Sequence, residues 1–581
     1  MFFVQSIKKD ARGLEPGACN GRMIPPGTST MNDFNTKQGV LFYDYTLDVK
    51  QTSRIDRFLS LLDSSGVGGI LSRTKQSSNM GRPEADPFQL FACILYGFAL
   101  GDASLRELET SCRYDVRYMY IMDGRTPSHM AFGRFINKVI KPYRDEIFAA
   151  VTNAIREYFG LGFSECFVDG SKIEADANRY KFVWKPTRFH ERLSEKARGL
   201  IASMGLERGV PVSGDIPSSV LAEKVTEADG LLESVTDERE RRVLQDKVRS
   251  LMGYLGRSLE YEEKERICGP GRNSYYKTDH DATAMCLKQD YYSGLGSNMH
   301  AAYQVQLVVS SGIISSYYVS QDRADIYTFV PAMERFRSMY GFLPSKVCAD
   351  SGYGCLENYR YCERHGIQAF VKYQSWQGEC SGRTPALYEL NGDGGITCLG
   401  GLKGWQVEIP GRHHRFKGAA FYLVQGCTGC AFMPYCRRFM KEGVADSRVF
   451  EFDPDYQRLK QKARDLLLSV EGIEMRVNRS CQSEGGFGVL KHDMLYDRFR
   501  RTGIDQVSTE FMLTALGYNI RKLLRYSEKG LKRTYWSAPE GTVPEVFRKP
   551  SAKRLANRVS KQHSKSVNET ARNYRYRSSK R

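Results

Sequence analysis

Between Glu165 and Tyr373 the chain switches repeatedly between runs that suit strands and runs that suit helices, and that order limits the fold most. ECFVDGSKIEA, AAYQVQLVVS and GIISSYYVS come first, rich in the β-branched and aromatic residues that favour strands. KVCAD and IQAFVKY follow, alternating with the helical stretches DIYTFVPAMERFRSMYG and LENYRYCERHG. Strands in succession, then strand–helix–strand–helix, predict a mixed α/β sheet.

Two of these runs finish in an acid. Phe167 and Val168 deliver Asp169 into Gly170, and Lys346 to Ala349 deliver Asp350 into small residues. Gly170 is expected to let the chain bend just past the acid, and Asp-Gly alone is an ordinary turn dipeptide. Two strands that each end in an acid place two carboxylates at one edge of a sheet. EMRVNRSCQSEGGFGVLKHDMLYDRF offers a third, Glu484, with Lys491 seven residues on and on the same helix face. Glu471, Glu474 and Asp493 are its rivals. Three carboxylates repel unless cations lie between them, and hard oxygen donors suit Mg²⁺ or Mn²⁺. Two such ions about 3.5–4 Å apart can activate an attacking oxygen and steady a leaving one in phosphoryl displacement. On this reading Asp169 bridges both ions, Asp350 and Glu484 hold one each, and Lys491 neutralises a DNA phosphate.

A chain of 581 residues implies two to four domains. Its net charge of +18 and pI near 9.1 favour a polyanionic partner. MFFVQSIKKDARG is charged too early for a secretory signal. PFQLFACILYGFAL is too short to span a bilayer and carries Gln89, so it reads as a core helix and no membrane is expected. Fifteen cysteines without a signal segment point to reduced thiols in a cytoplasm. Nine histidines, none in HExxH, give no support to zinc–His or Ser–His hydrolysis.

Residues 1–40, rich in Gly, Pro, Ser and Asn, are expected to be a poorly ordered lead. A helical DNA-binding domain is expected over 41–160, with Pro87 at a helix start and Thr126 or Ser128 as a cap. Arg106, Arg113, Arg117 and Arg134 would lie on its exposed faces. The catalytic core would cover 161–535 with two insertions. In the first, 187–267, Leu244, Val248, Leu251 and Leu255 form one helical stripe beside the charged DERERRVLQDKVRS, predicting an antiparallel helical hairpin. The second, 376–455, is Gly- and Cys-rich. CTGCAFMPYC supplies Cys427, Cys430 and Cys436, half of a structural Zn²⁺ site. A fourth ligand would come from Cys398 or Cys380, or from His413 or His414. The segment 536–581 reads as a basic flexible tail, with Glu569 its one acid from Arg548 onward.

Taken together, the chain resembles the DDE transposases of bacterial insertion sequences, in particular the group numbered eleven eighty-two. The resemblance rests on GRPEADPFQLFACILYGFALGDASLRELETSCRYDVRYMYIMDGRTPSHMAFGRF, on DGSKIEADANRYKFVW, and on KTDHDATAM followed by AAYQVQ. It also takes in ADSGYG with ENY and GIQAFVKY, the CxxC segment, SEGGFGVLK and LTALGYNIRKL. It implies a ribonuclease-H-like core, divalent metal, double-stranded DNA as partner, and cutting and insertion of element ends with Asp169, Asp350 and Glu484 as the acids. It further implies a homodimer or larger assembly and a cytoplasmic, nucleoid-associated setting. The related Y-x2-R-x3-E-x6-K signature survives here only as E-x6-K. Arg476 and Arg479 miss the expected offset, no tyrosine stands where one is wanted, and Asp176 replaces an expected amide. Lys172, Trp184 and Arg479 join Lys491 as DNA-contact candidates, with Trp184 either a core residue or a stacking platform. Met31 is a plausible initiator. Two alternatives stay open: a catalytically silent DNA-binding derivative, and a nicking nuclease of the same fold. Asp279, Asp281 and Asp325 are read as DNA contacts or helix caps.

Overall fold

The computed structural model describes residues 54–73, 85–102, 104–287, 298–411, 413–415, 417–437, 446–527, 535–546, 551–555 and 557. The expected lead over 1–40 and most of the basic tail lie outside the described residues.

Seven helices open the described chain: Arg54–Ser64, Val67–Ser72, Pro87–Leu100, Leu105–Tyr114, Val116–Ile121, His129–Phe135 and Arg144–Phe159. Asp86 caps the third, accepting from the amides of Phe88 and Gln89, while Pro87 sits where its missing N–H costs nothing. Of the two expected caps at the His129 helix, Ser128 is the one used. Pro87–Leu100 is buried at ten positions and lies against the equally buried Ile504–Tyr526 helix. Arg106, Arg113, Arg117 and Arg134 are exposed, the second and third paired with Glu109 and Asp115. Among the described residues no single helix is long and apolar enough to cross a membrane.

Thirteen strands follow: β1 (Glu165–Glu174), β2 (Phe182–Trp184), β3 (Ser274–Tyr276), β4 (Thr283–Cys286), β5 (Met299–Ser310), β6 (Ile313–Ser320), β7 (Lys346–Ala349), β8 (Gln368–Val371), β9 (Tyr388–Leu390), β10 (Ile396–Cys398), β11 (Lys403–Val407), β12 (Ala420–Gln425) and β13 (Ser447–Phe452). The central sheet is ordered β4-β5-β1-β7-β8, with β6 paired to β5. β1 runs antiparallel to β5 and parallel to β7, and β7 parallel to β8. The predicted mixed sheet is therefore present, with the helices Phe329–Tyr340 and Leu356–Arg364 between its later strands.

Three expectations need correcting. β1 does not end at Asp169: its ladder with β5 continues from Phe167↔Val309 to Glu174↔Ala302, so Asp169 stands mid-strand, opposite Leu307. The first insertion has three helices, Thr187–Ala202, Ser218–Ser234 and Glu238–Cys268, rather than a hairpin. The extra helix belongs because Ala197 and Ile201 complete a small core with Ile216, Leu221 and Leu251. The tail does not leave the body at residue 536. Trp536 N donates to Asn478 Oδ1 and accepts at its own carbonyl from Asn478 Nδ2, while Arg476 pairs with Glu545 at 2.8 Å.

The second insertion forms its own antiparallel sheet, ordered β13-β12-β11-β10-β9. After it, helices Pro454–Leu468 and Val470–Arg479 lead into a π turn, Ser480–Glu484, an α turn, Gly485–Gly488, and a second π turn, Val489–Asp493. The first π turn lies against β1 and β5.

Candidate active site

The sheet brings the first two acids together. β1 and β7 pair in parallel through Phe167↔Cys348, and two residues further in that register Asp169 faces Asp350, the first residue past the end of β7. Asp350 turns into the short Ser351–Tyr353 helix by accepting from Gly352 N at 2.8 Å. Asp169 accepts from Gly170 N at 3.0 Å, and its side chain is 16 % exposed. Burial pushes its carboxyl up to about 6. The Arg479 guanidinium opposes that shift, and the neighbouring charges of Asp350 and Glu484 add to it.

Arg479 links the third acid to Asp169. Its side chain is 10 % exposed, with Nη2 2.7 Å from Glu484 Oε1 and Nη1 3.6 Å from Asp169 Oδ2. The two residues are five apart, which in an α-helix would turn them away from each other. The turn between them is a π turn, whose i→i+5 hydrogen bonding takes up one extra residue and restores a common face. The missing offset noted in the sequence is thus absorbed by the winding of the helix. The rival acids are engaged elsewhere: Glu471 with Lys346, Glu474 with the amide of Ala538, and Asp493 with Arg521.

A fourth carboxylate stands against this group. Asp325 accepts from the side-chain amides of Gln304 and Gln306, and Tyr353 in turn donates to Gln306 Oε1. A Cβ on Gly170 would fall 2.6 Å from Gln306 Nε2 and still closer to Asp325, while one on Gly352 would meet both Asp350 and Asp325. Gly170 is there for close approach, not for a turn. Burial holds the Tyr353 phenol well above its usual value, reinforced by Asp325, Asp169 and Asp350. Asp325 was legible in the sequence only as a cap or DNA contact. Asp281 caps the Ile504–Tyr526 helix through the amide of Ile504, and Asp279 is held by Tyr303 and Gly503 N.

Of the DNA-contact candidates, Arg479 is engaged with the acids, and the others lie on β1, the separate β2–β3 ribbon and the second π turn. Lys491 Nζ donates to Lys172 O at 3.3 Å, so the second π turn is fastened to β1 three residues past Asp169. Lys172 Nζ donates to Cys286 O. Trp184 is 65 % exposed, which excludes the core reading, and it meets the half-exposed Phe182 edge to face. Asp176, where an amide was expected, pairs with Arg498 at 2.8 Å.

Cys398, Cys427, Cys430 and Cys436 line one cavity of about 20 Å³. Burial raises the Cys436 thiol, and Cys398 and Cys427 both act on it. A Cβ on Gly400 would sit 2.9 Å from Cys430 Sγ and 3.7 Å from Cys398 Sγ. Cys398 is therefore the candidate fourth thiol; His414 instead stacks on Phe421, and Cys380 is exposed in the Trp376–Cys380 helix.

Residues 398–524 match the family model described as Transposase DDE domain, and residues 45–138 the one described as Transposase domain (DUF772). The first span contains the four-cysteine cavity and Glu484, and the second most of the N-terminal helices. No curated protein matches the chain.

Proposed function

The chain belongs to the DDE transposases of insertion sequences, and from that premise we propose that it cuts DNA at element ends and joins them to target DNA. In the first step a water oxygen attacks the phosphorus at the element end, and the bond to the 3′ oxygen breaks, freeing a 3′-OH. In the second, that 3′-OH attacks a target phosphorus, the bond to the target strand's own 3′ oxygen breaks and that oxygen leaves as a 3′-OH, with no covalent enzyme intermediate. The observation that supports this reading is that Arg479 pairs with both Asp169 and Glu484 while the β1–β7 register sets Asp169 beside Asp350; the three carboxylates do not all lie within 4.8 Å of one another.

The sheet order supports a ribonuclease-H-like core: an antiparallel meander of β1, β5 and β6, then β7 and β8 added in parallel on the other side of β1. The donor set fits hard divalent cations, since carboxylates predominate and Arg479 is the cation paired with two of them. Asp169, Asp350 and Glu484 would hold Mg²⁺ or Mn²⁺, which would supply Lewis-acid stabilisation of the phosphoryl oxygens. Asp169 must be deprotonated to serve, and Arg479 favours that state. Asp325 fixes the Gln304–Gln306 pair behind the acids. Lys491 and Lys172 would meet backbone phosphates, and Trp184 would offer a ring face to an unstacked base. The exposed arginines of the N-terminal helices would hold the flanking duplex, and two copies of the chain would bring two ends together. The four cysteines would hold a structural Zn²⁺ by donor type, although they do not form a set with donor atoms all within 4.8 Å of one another.

The test is cleavage of a duplex carrying the element's own ends. Asp169→Ala should abolish Mg²⁺-dependent cutting and leave DNA binding intact. A wild-type chain that binds and never cuts would point to a silent derivative, and one that cuts but never joins a pre-nicked end to a nuclease.

A further inference from the structure

The helical insertion holds a polar cluster that the DNA chemistry does not use. His190 lies in the first turn of Thr187–Ala202, Asp215 in the loop before Ser218–Ser234, and Glu265 in the last turn of Glu238–Cys268. Among the described residues, these three form the set of His, Cys, Asp or Glu donors whose ligand atoms all lie within 4.8 Å of one another.

His190 is 3 % exposed. Its Nδ1 faces Glu265 Oε2 at 3.4 Å and Asp215 Oδ2 at 3.8 Å. Both gaps are long for charge-assisted hydrogen bonds, which close to about 2.7–2.9 Å. They are near the spacing of donors that share one ion, since bonds of about 2.1 Å at a tetrahedral angle set two donors about 3.4 Å apart. On the other side of the ring, Nε2 lies 3.3 Å from Oγ of the wholly buried Ser258. A ring that donates Nε2–H to Ser258 presents the Nδ1 lone pair to Asp215 and Glu265. The remaining carboxylate oxygens, Asp215 Oδ1 and Glu265 Oε1, are buried without a hydrogen-bond partner. Glu262, one turn before Glu265, holds the amide and hydroxyl of Ser218 at 2.6 Å each, fixing the chain just after the Asp215 loop.

We propose that His190 Nδ1, Asp215 and Glu265 bind one divalent transition-metal ion, zinc in the first instance. An imidazole nitrogen with two carboxylates is a borderline donor set that suits zinc better than magnesium. Asp215, 36 % exposed, marks the side from which the ion enters and solvent completes the shell. The ion joins three segments of the insertion and stands apart from the acids on the central sheet, so the site does not depend on how the DNA chemistry is read.

Zinc content after equilibrium dialysis of the full chain, with excess Mg²⁺ present, tests this. The wild type should retain one more zinc per chain than Glu265→Gln or Asp215→Asn. The same difference should persist in a Cys427→Ser/Cys430→Ser background, and zinc should raise the Tm of the wild type but not of Glu265→Gln. Ser258→Ala should weaken binding about tenfold while leaving the ligands in place. Equal zinc in wild type and both carboxamide variants overturns the proposal and leaves the cluster as a packing contact between three segments of the insertion. Should the variants fail to fold, Co²⁺ absorption of the Cys427→Ser/Cys430→Ser chain decides: nitrogen–oxygen tetrahedral bands support the site, and their absence removes it.

Discussion

Arg479 reaches Glu484 at 2.7 Å and Asp169 at 3.6 Å with one guanidinium, across a helical turn wound one residue wide. In the metal-free protein it is the counter-charge of two acids on different elements. Arg479→Gln should therefore cost about 1–3 kcal/mol of stability, and Mg²⁺ should return part of that loss. Urea unfolding with and without Mg²⁺ measures it; a loss indifferent to the ion would mean that Arg479 only packs.

Asp169 gives the site a pH dependence of definite sign. Its carboxyl is raised from 3.8 to about 6. Without metal, the folded chain thus binds a proton between those values that the unfolded chain does not. Relative stability then rises as pH falls through about 6, by up to about 3 kcal/mol at about 1.4 kcal/mol per unit. Metal binding runs the other way, because ion and proton compete for one carboxylate. Mg²⁺ affinity should fall about tenfold per pH unit below about 6, and calorimetric titration at several pH values would show it. A flat profile between pH 5 and pH 7 would count against Asp169 as a ligand.

Gly170→Ala should damage cutting more than folding. The added Cβ presses on Asp325 and on Gln306 Nε2, and overpacking of this kind costs about 1–3 kcal/mol. Asp325→Ala in the same chain should relieve part of the strain, so the two changes should not add. Additive losses in Tm would show that the close approach is inconsequential.

Asp325→Asn should raise the Mg²⁺ concentration needed for half-maximal cleavage about tenfold, the scale of losing a group that orients metal ligands. DNA binding should stay unchanged. The carboxylate accepts from Gln304 and Gln306 behind the paired acids, and an unaltered Mg²⁺ requirement would make it a local brace only.

The sheet was legible because each strand is a short run with its own composition, and the predicted order β1, β5, β6, β7, β8 needs only local reading. Asp169 and Asp350 could be picked out for the same reason. The purpose of Gly170 could not, since what crowds it, Asp325, arrives from 155 residues away in the chain. Counting residues from Arg479 to Glu484 misled because the count assumes an α-helix, and a π turn leaves no compositional mark at SCQSE. Trp184 is exposed on a three-residue strand paired only with β3, and a strand so short gives no alternation from which to tell its wet face. The third helix of the first insertion was missed because its apolar positions are few and set among arginines, glutamates and lysines.

The return of residues 535–546 along the Val470–Arg479 helix ties that segment to the element that ends in Arg479. Asn478 and Arg476, which hold Trp536 and Glu545, lie one and three residues before Arg479. One short stretch of helix thus carries both the grip on residues 536 and 545 and the guanidinium that faces Asp169 and Glu484. That stretch is a splint: what grips Trp536 and Glu545 also braces the arginine on which two acids lean.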